Sequence, residues 1–554
     1  MPRRFAGIST SNLIVTISLL ILFVILAAIS FLAVFFTAYI PIAPGEIPLD
    51  VPHFEFFLGD ASFVAFFIPL LLLVFLFITF RLLLPVIQKR SFCSLIVYLV
   101  VISLFVQIVL IVASSPNGIY PYPDSIRLDV LARALLSNDS AVFSDCIGGD
   151  TAPYLQWYPF QSGSVLTMAL IYHIFGVGNQ IAFQVISAIF NSLTAVSLLC
   201  ICNELWGKGP ATGVCFLILI TCIPLFYSAS FVYGNSIGLG FALVSLMLSM
   251  VAMSGGEKMR SSRIRISAAI GSLLTISLSM IVKSTNILFL FGLVFGWTVF
   301  LLRKRLYFHL PIVVVVFFLL NSAPSLATNL LQSQTNTSFG EGMPKLSWIA
   351  MGLRDDGLSG VPGWWGPYPT HIFSEANGES GAQSAVARAS ILDSVNKFQS
   401  DPNYALRFFS KKLASEWADP TFMSLYYYGV GSSGVDTNDV PLLLTSVFTG
   451  FTSNRMLMEV MEAHQWLVYL GSLLTISILL FKRTEREMLA KSAEMYFVAA
   501  FSFFAGFGCF LLWEAKSVYT FPFFLLLIPL SSLSISSIMK SNLFAFFSEG
   551  NKGQ

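Results

Sequence analysis

Two acids and two lysines, widely separated in the chain, sit where their side chains could do chemistry. Asp124 follows Tyr120-Pro121-Tyr122-Pro123 and opens a helix-like run through Arg127, Leu128, Leu131, Ala132 and Leu135. A carboxylate in that position can cap the helix, which Asp does well. It can equally act as a base that takes a proton from a hydroxyl. Asp129, Asp145 and Asp150 lie in the same loop and compete for both roles. Lys283 ends the apolar run 266–282, where it either snorkels to the membrane edge or pairs with an anionic oxygen such as a lipid phosphate. Glu514 and Lys516 stand between two apolar runs beside Trp513 and Tyr519, as an interfacial pair in an aromatic belt or as a phosphate site.

Other polar positions are open to two readings each. Asn235 and Ser236 open a helix and can serve as its cap. Arg354, Asp355 and Asp356 follow Trp348-Ile349-Ala350-Met351-Gly352-Leu353, and Trp364-Trp365 come soon after; paired tryptophans stack on sugar rings or anchor a segment at the interface. The five histidines (His53, His173, His309, His371 and His464) form no ligand-spaced pair, and no CxxC occurs, so no metal site and no cofactor is expected. Phosphate-binding glycine loops, dinucleotide fingerprints, nucleophile elbows and HExxH are all missing from the sequence.

The elements that must position these groups are membrane helices. Of 554 residues 56% are hydrophobic and only 11% charged, with 53 phenylalanines, more apolar surface than a water-soluble chain can bury. Mean hydropathy is +0.78. The net charge of +2, without a basic block, excludes nucleic acid as a partner. Apolar runs fall at 12–40, 61–80, 93–113, 162–177, 181–202, 211–229, 237–254, 266–282, 286–302, 308–328, 464–481, 492–512 and 518–537. The first is too long for a signal-peptide core and reads as an uncleaved span.

Charge decides which runs cross. Arg3 and Arg4, then Arg81, Lys89 and Arg90, mark the cytoplasmic side, while the loop holding Glu46, Asp50, Glu55 and Asp60 has no Lys or Arg. If every run crosses, Lys258, Arg260, Arg263 and Arg265 fall outside, as do Lys482, Arg483, Arg486 and Lys491. Removing one crossing between 114 and 254 repairs both. The weakest candidate is 162–177, which is short and carries Ser162, Ser164, Thr167, Tyr172 and His173, so it reads as an interfacial helix. The expectation is an all-α polytopic membrane protein of about twelve transmembrane helices with both termini cytoplasmic. The loop 114–180, an insert at 329–463 and the turn 513–519 then share the extracytoplasmic face. Within the insert, Asp401-Pro402 starts a helix whose apolar stripe is Ala405, Phe409, Leu413 and Trp417. Val386, Ala389, Leu392 and Val395 suggest another.

Taken in order, these segments resemble the GT-C class of polytopic glycosyltransferases. The similarity is to the family 39-like branch, related to protein O-mannosyltransferases and the aminoarabinose transferase. Its carriers are Pro123-Asp124-Ser125, Tyr154-Leu155-Gln156-Trp157-Tyr158-Pro159-Phe160-Gln161-Ser162-Gly163, Val282-Lys283-Ser284-Thr285, Ser347-Trp348-Ile349-Ala350-Met351-Gly352-Leu353 and Glu514-Ala515-Lys516-Ser517-Val518-Tyr519 with Pro522. It extends from about residue 93 onward, so that 1–92 reads as two additional N-terminal spans, 93–328 as the transmembrane core, 329–463 as the insert and 464–554 as the C-terminal spans. The resemblance implies a sugar donor on a polyprenyl phosphate, Asp124 as catalytic base, and Lys283, Lys516 and Tyr519 at the donor phosphate. Arg127, Tyr158, Gln161, Arg354 and Glu514 would line the donor and acceptor pocket. It implies a location in a plasma membrane, of bacterial type, with the active site extracytoplasmic and a cell-surface glycan or protein as acceptor. Where the family has Arg beside the tyrosine of the last motif this chain has Val518, and Lys516 lacks the two-pronged guanidinium. A flippase for lipid-linked glycans and a polysaccharide polymerase are the competing expectations. The first predicts inverted repeats and broken helices. The second predicts an Arg-rich outer loop, where the insert offers Arg354, Arg388, Arg407 and Arg455.

Overall fold

The computed structural model describes residues 10–40, 52–56, 63–114, 120–254, 261–356, 360–432 and 451–540. Arg3, Arg4, Glu46, Asp50, Asp60, Lys258, Arg260 and the loop residues 115–119 lie outside them. The chain is an all-α polytopic membrane protein. Among the described residues, ten helices are long and apolar enough to cross a bilayer: Leu13–Phe35, Phe66–Gln88, Phe92–Ser114, Gln180–Trp206, Asn235–Met253, Ser262–Val282, Ser284–Arg303, Tyr307–Thr335, Arg455–Phe481 and Ala493–Leu512. Two further pairs, Pro210–Ile220 with Ile223–Ser230 and Ser517–Leu525 with Leu527–Lys540, each bend by 50° at a short break and bring the total to 12. Pro224 lies in the first turn after the first break and Pro522 inside the helix before the second. Proline removes a backbone donor, and a bend of this kind is the usual result.

Ser162–Phe175 is a helix of 14 residues. At about 1.5 Å per residue it rises roughly 21 Å, short of the roughly 30 Å hydrocarbon layer. Val165, Met168, Ile171 and Tyr172 are buried, while Leu170, Ile174 and Phe175 face outward. It packs against Pro123–Ser137, Ala323–Thr335 and the end of Ser262–Val282. One face therefore lies on protein and the other is exposed and apolar, the division an interfacial helix requires.

The first helix ends at Phe35, earlier than its apolar run suggests. The chain then forms a two-stranded antiparallel hairpin in which Phe36–Tyr39 pairs with His53–Phe56. Phenylalanine and tyrosine suit strand and helix alike, so composition alone could not mark the switch. The Thr37 hydroxyl donates to the Glu462 carboxylate at 2.6 Å, and Ala38 N–H donates to the Ala418 carbonyl at 3.0 Å. Leu13–Phe35 itself packs along Phe451–Phe481. The N-terminal spans are therefore stitched into the rest of the bundle.

The insert contains helices Lys345–Gly352, Tyr368–Glu375, Ser380–Ser400, Pro402–Trp417 and Ser424–Ser432. Asp401 caps the fourth, accepting from Tyr404 N–H at 2.9 Å. Two faces differ from the sequence expectation. Of the expected stripe Ala405, Phe409, Leu413 and Trp417, Pro402–Trp417 fully buries Trp417 alone, and its other buried residues are Phe408, Lys412, Ala414, Ser415 and Glu416. Ser380–Ser400 buries Gln383 and Ala387 and leaves Val386, Leu392 and Val395 exposed. Apolar periodicity misses a face whose buried members include polar side chains, of which Lys412 and Ser415 are hydrogen-bonded to backbone carbonyls.

Cys93 and Cys146 are both exposed, at the start of the third span and in the loop after it. A membrane-impermeant maleimide applied to intact cells should label Cys146 and spare Cys93. Labelling of Cys93 alone would reverse the orientation.

Candidate active site

Backbone approach brings the parts of the site together. Gly163 lies against the end of Ser262–Val282 so closely that a Cβ there would come within 1.8 Å of the Ile281 carbonyl oxygen. Next to it, the Ser164 hydroxyl donates to the Val282 carbonyl at 2.8 Å. This contact seats the Asp124 loop beside Lys283, the residue that follows Val282. On the other side Lys412, fully buried, donates from Nζ to the Gly352 and Trp513 carbonyls at 2.6 Å each. Ala515 N–H donates to the Gly363 carbonyl at 2.7 Å, and Trp364 bridges to Ala515 as a short parallel pairing. The insert thus holds the turn carrying Glu514 and Lys516.

Asp124 occupies the first turn of Pro123–Ser137. Tyr122 is the cap residue and makes no side-chain cap bond, so Asp124 is not the N-cap. Its competitors are accounted for. Asp129 is fully buried and accepts from Arg133 at 2.7 Å, Tyr172 at 2.5 Å and Gln180 at 3.1 Å. Asp150 takes a two-pronged contact from Arg127, with Nε at 2.6 Å. Asp145 is exposed. Asp124 is half-buried, and among the described residues it is not half of a close ion pair. The Tyr154 hydroxyl lies beside it, and Arg127, Lys516 and Lys283 act on it electrostatically. Burial pushes its carboxyl above the ordinary aspartate range, and these three cations pull it partly back.

The cations form the other half of the site. Lys283 Nζ sits 4.3 Å from the centre of the Tyr233 ring. Burial lowers its ammonium to about 8, against the raising influence of Asp124 and Glu514. Lys516 and Glu514 are both buried, 3.7 Å apart, and the Tyr519 hydroxyl donates to Glu514 at 3.3 Å. Tyr158 stacks edge-on against Tyr154 at 5.1 Å and faces Trp348 at 5.9 Å. Burial and the charges of Asp124 and Glu514 hold its phenol protonated, so it offers an O–H donor between the two acids. Gln161 donates to Tyr233 and, at 3.4 Å, to Tyr154, while accepting from Ser164 at 3.0 Å.

Asp124, Arg127, Tyr158, Gln161, Lys283, Glu514, Lys516 and Tyr519 therefore converge on one region. Arg354 does not join them by its side chain. Its guanidinium pairs with Asp356, reaches Ser390 at 3.2 Å and lies 4.4 Å over the Tyr368 ring. Its backbone carbonyl still takes part, accepting from Gly363 at 2.7 Å. Sequence reasoning passed over Tyr154, Tyr233, Lys412 and Asp419. Asp419 is buried and accepts from Thr421 and Met423 N–H and from the Ser517 hydroxyl at 2.5 Å, which ties the insert to the helix that carries Tyr519. The two tyrosines lie in motifs already singled out, and their phenols could have been weighed with the charges. Lys412 and Asp419 carry no local signal of their role.

Lys283 and Tyr519 also line a partly open cleft, together with Asn191, Asn235, Ser424, Phe231 and Tyr427.

No protein-family model matches the chain, and no curated protein sequence matches it. Among solved structures it is similar to ArnT from Cupriavidus metallidurans bound to undecaprenyl phosphate, with 14% identity over 80% of this chain and 78% of that one and a TM-score of 0.34. It is also similar to the archaeal oligosaccharyltransferase AglB from Archaeoglobus fulgidus in complex with an inhibitory peptide and a dolichol-phosphate, at 12% identity and a TM-score of 0.39. That match covers 83% of this chain and 52% of AglB, so the chain spans about half the archaeal protein's length.

Lys412 carries the connection between insert and turn. Lys412→Met leaves the buried Gly352 carbonyl and the part-buried Trp513 carbonyl without this donor and should cost about 2–6 kcal/mol, from roughly 1–3 kcal/mol per unsatisfied group. The loss is read as a lowered melting temperature of the purified protein in detergent. An unchanged melting temperature would mean the turn is held by other contacts.

Proposed function

We propose that this chain is a membrane glycosyltransferase that moves a sugar from a polyprenyl-phosphate carrier to a hydroxyl acceptor at the extracytoplasmic surface. The observation that carries the reading is the half-buried Asp124, left out of the ion pairs that bind its neighbours and faced by Lys283 and Lys516. The motif order in the sequence supports it as well.

In the proposed reaction the acceptor hydroxyl lies against Asp124. Its oxygen attacks the anomeric carbon while its proton passes to the Asp124 carboxylate. The bond between that carbon and the phosphate oxygen breaks, and the carrier phosphate leaves with the bonding pair. One displacement of this kind inverts the anomeric configuration. Lys283 and Lys516 hold the phosphate and stabilise the charge it gains; in a site shielded from bulk water such charges act strongly. Raising the carboxyl above the usual aspartate range makes it a better proton acceptor, provided it remains ionised at the working pH. The surface helix Ser162–Phe175 supplies a floor at lipid level, where a lipid-held donor and a water-borne acceptor could meet. The acceptor would be a cell-surface glycan or protein and the location a plasma membrane of bacterial type.

The two bent helix pairs favour a second reading, a carrier of lipid-linked glycans, because broken spans are a transporter feature. Purified protein in liposomes, given polyprenyl-phosphate sugars and a surface-glycan acceptor, separates the two. Asp124→Asn should lower transfer by about 100-fold or more, the scale of a lost general base, with carrier binding retained. Normal transfer by that variant would end the transferase assignment.

A pH dependence follows from Lys283. Its charge is present below about 8 and is lost as the pH rises through that value, so kcat/KM for the carrier should decline above about pH 8. Lys283→Arg keeps its charge throughout and should flatten the decline. An identical decline in both proteins would assign it to another group.

A further inference from the structure

The cleft beneath Lys283 contains polar atoms that the fold itself does not use. Asn191 is fully buried in the helix Gln180–Trp206. Its Nδ2 donates to Gln107 Oε1 at 3.0 Å, to the Leu225 carbonyl at 2.9 Å and to Ser228 Oγ at 3.1 Å. The orientation of this amide is determined by its neighbours. Gln107 Nε2 donates to the Ser103 carbonyl at 3.0 Å, Ser103 Oγ at 2.8 Å and the Ala188 carbonyl at 3.3 Å, so Gln107 must present its oxygen to Asn191. Asn191 must answer with its NH₂ group, and its Oδ1 is left over. That oxygen has no hydrogen-bond partner among the described residues, and neither do Asn235 Oδ1 and Ser424 Oγ. All three residues line the same cleft, together with Lys283 and Tyr519.

A buried polar atom without a partner costs about 1–3 kcal/mol; such atoms occur elsewhere in the fold too, at Ser187, Thr194 and Ser249 for example, and those of Asn191, Asn235 and Ser424 are the ones whose residues line this cleft. Amide oxygens accept hydrogen bonds and cannot donate them; Ser424 can do either. A set of acceptors beside aromatic rings from Phe231 and Tyr427 suits a ligand with several O–H groups and apolar C–H faces. An isoprenoid tail in the same space would leave all three oxygens unpaired. None of the described residues lining the cleft is an acid, and Lys283 is its one cation. A cationic amino sugar would therefore meet a lysine with no carboxylate to receive it, and a sugar carboxylate would face the amide oxygens.

We infer that the cleft lined by Asn191, Asn235 and Ser424 is the glycosyl pocket of the donor and takes an uncharged, polyhydroxylated sugar, with the isoprenoid tail lying elsewhere. The inference rests on the transferase reading, because the sugar reaches this cleft only if its phosphate sits at Lys283.

The test is binding of purified full-length protein to bare undecaprenyl phosphate, to its glucosyl, mannosyl, galactosyl and arabinosyl derivatives, and to the 4-amino-4-deoxyarabinosyl derivative. At least one neutral derivative should bind about tenfold or more tightly than bare carrier, the scale of one or two good hydrogen bonds. Asn191→Leu should remove most of that excess and leave affinity for bare carrier unchanged. Because Asn191→Leu also strips Gln107 and Leu225 of a donor, Ser424→Ala is the second variant. It breaks no internal side-chain bond and should weaken the glycosyl carrier several-fold without lowering the melting temperature. Equal binding of neutral and bare carriers, equal weakening of both by the variants, or tightest binding of the amino sugar each overturns the pocket while leaving the transferase reading in place. If wild-type protein binds none of these carriers, that reading fails and this one fails with it.

Discussion

A charge held partly out of water at the edge of a membrane needs opposite charge close by. Asp124, Lys283, Lys516 and Glu514 supply that to one another, although the sequence separates them by nearly the length of the transmembrane region. Burial works on each in the direction of neutrality, and the neighbours work against it. The fold meets the requirement with backbone contacts. Gly163 and Ser164 rest on the Ile281 and Val282 carbonyls, and Lys412 grips the Gly352 and Trp513 carbonyls.

Both fastenings depend on what small or buried groups allow. A side chain at Gly352 would collide with the Leu512 and Trp513 carbonyl oxygens at 2.3 and 2.4 Å, so the insert and the last outer turn meet as bare backbone. Lys412 then satisfies carbonyls that helix termini otherwise leave without a donor. Asp419 and Asp129 fasten other elements as acceptors, one joining the insert to Ser517 and the other joining Pro123–Ser137 to Tyr172 and Gln180. The acids and lysines around this region thus divide into fasteners and a small remainder, and Asp124 belongs to the remainder.

Much of this was legible in the sequence, for reasons that can be stated. Spans are long, uninterrupted apolar runs, and charge bias is sensitive enough to have singled out 162–177, whose helix is indeed too short to cross. The convergence of Asp124, Lys283, Glu514 and Lys516 could be anticipated because each follows or precedes an apolar run in the sequence and the charge pattern predicts one face for all four. What stayed hidden lacks a local signature. The hairpin at Phe36–Tyr39 is as apolar as the helix before it. The buried face of Pro402–Trp417 carries a lysine and a glutamate, which any hydrophobic pattern assigns to solvent. Arg354 looked like a pocket residue from its motif, yet Asp356 two residues on captures its guanidinium. The spare oxygen of Asn191 emerges only after every partner of Gln107 is known.

The central claim is that a lipid-borne phosphate is held between Lys283 and Lys516, next to Asp124. The most direct measurement is a cryo-electron microscopy structure of the full-length protein in nanodiscs loaded with undecaprenyl phosphate. The account predicts phosphate density within hydrogen-bonding distance of both lysine ammonium groups. Phosphate density resting elsewhere, with Lys283 and Lys516 still turned toward Asp124 and Glu514 alone, would contradict it.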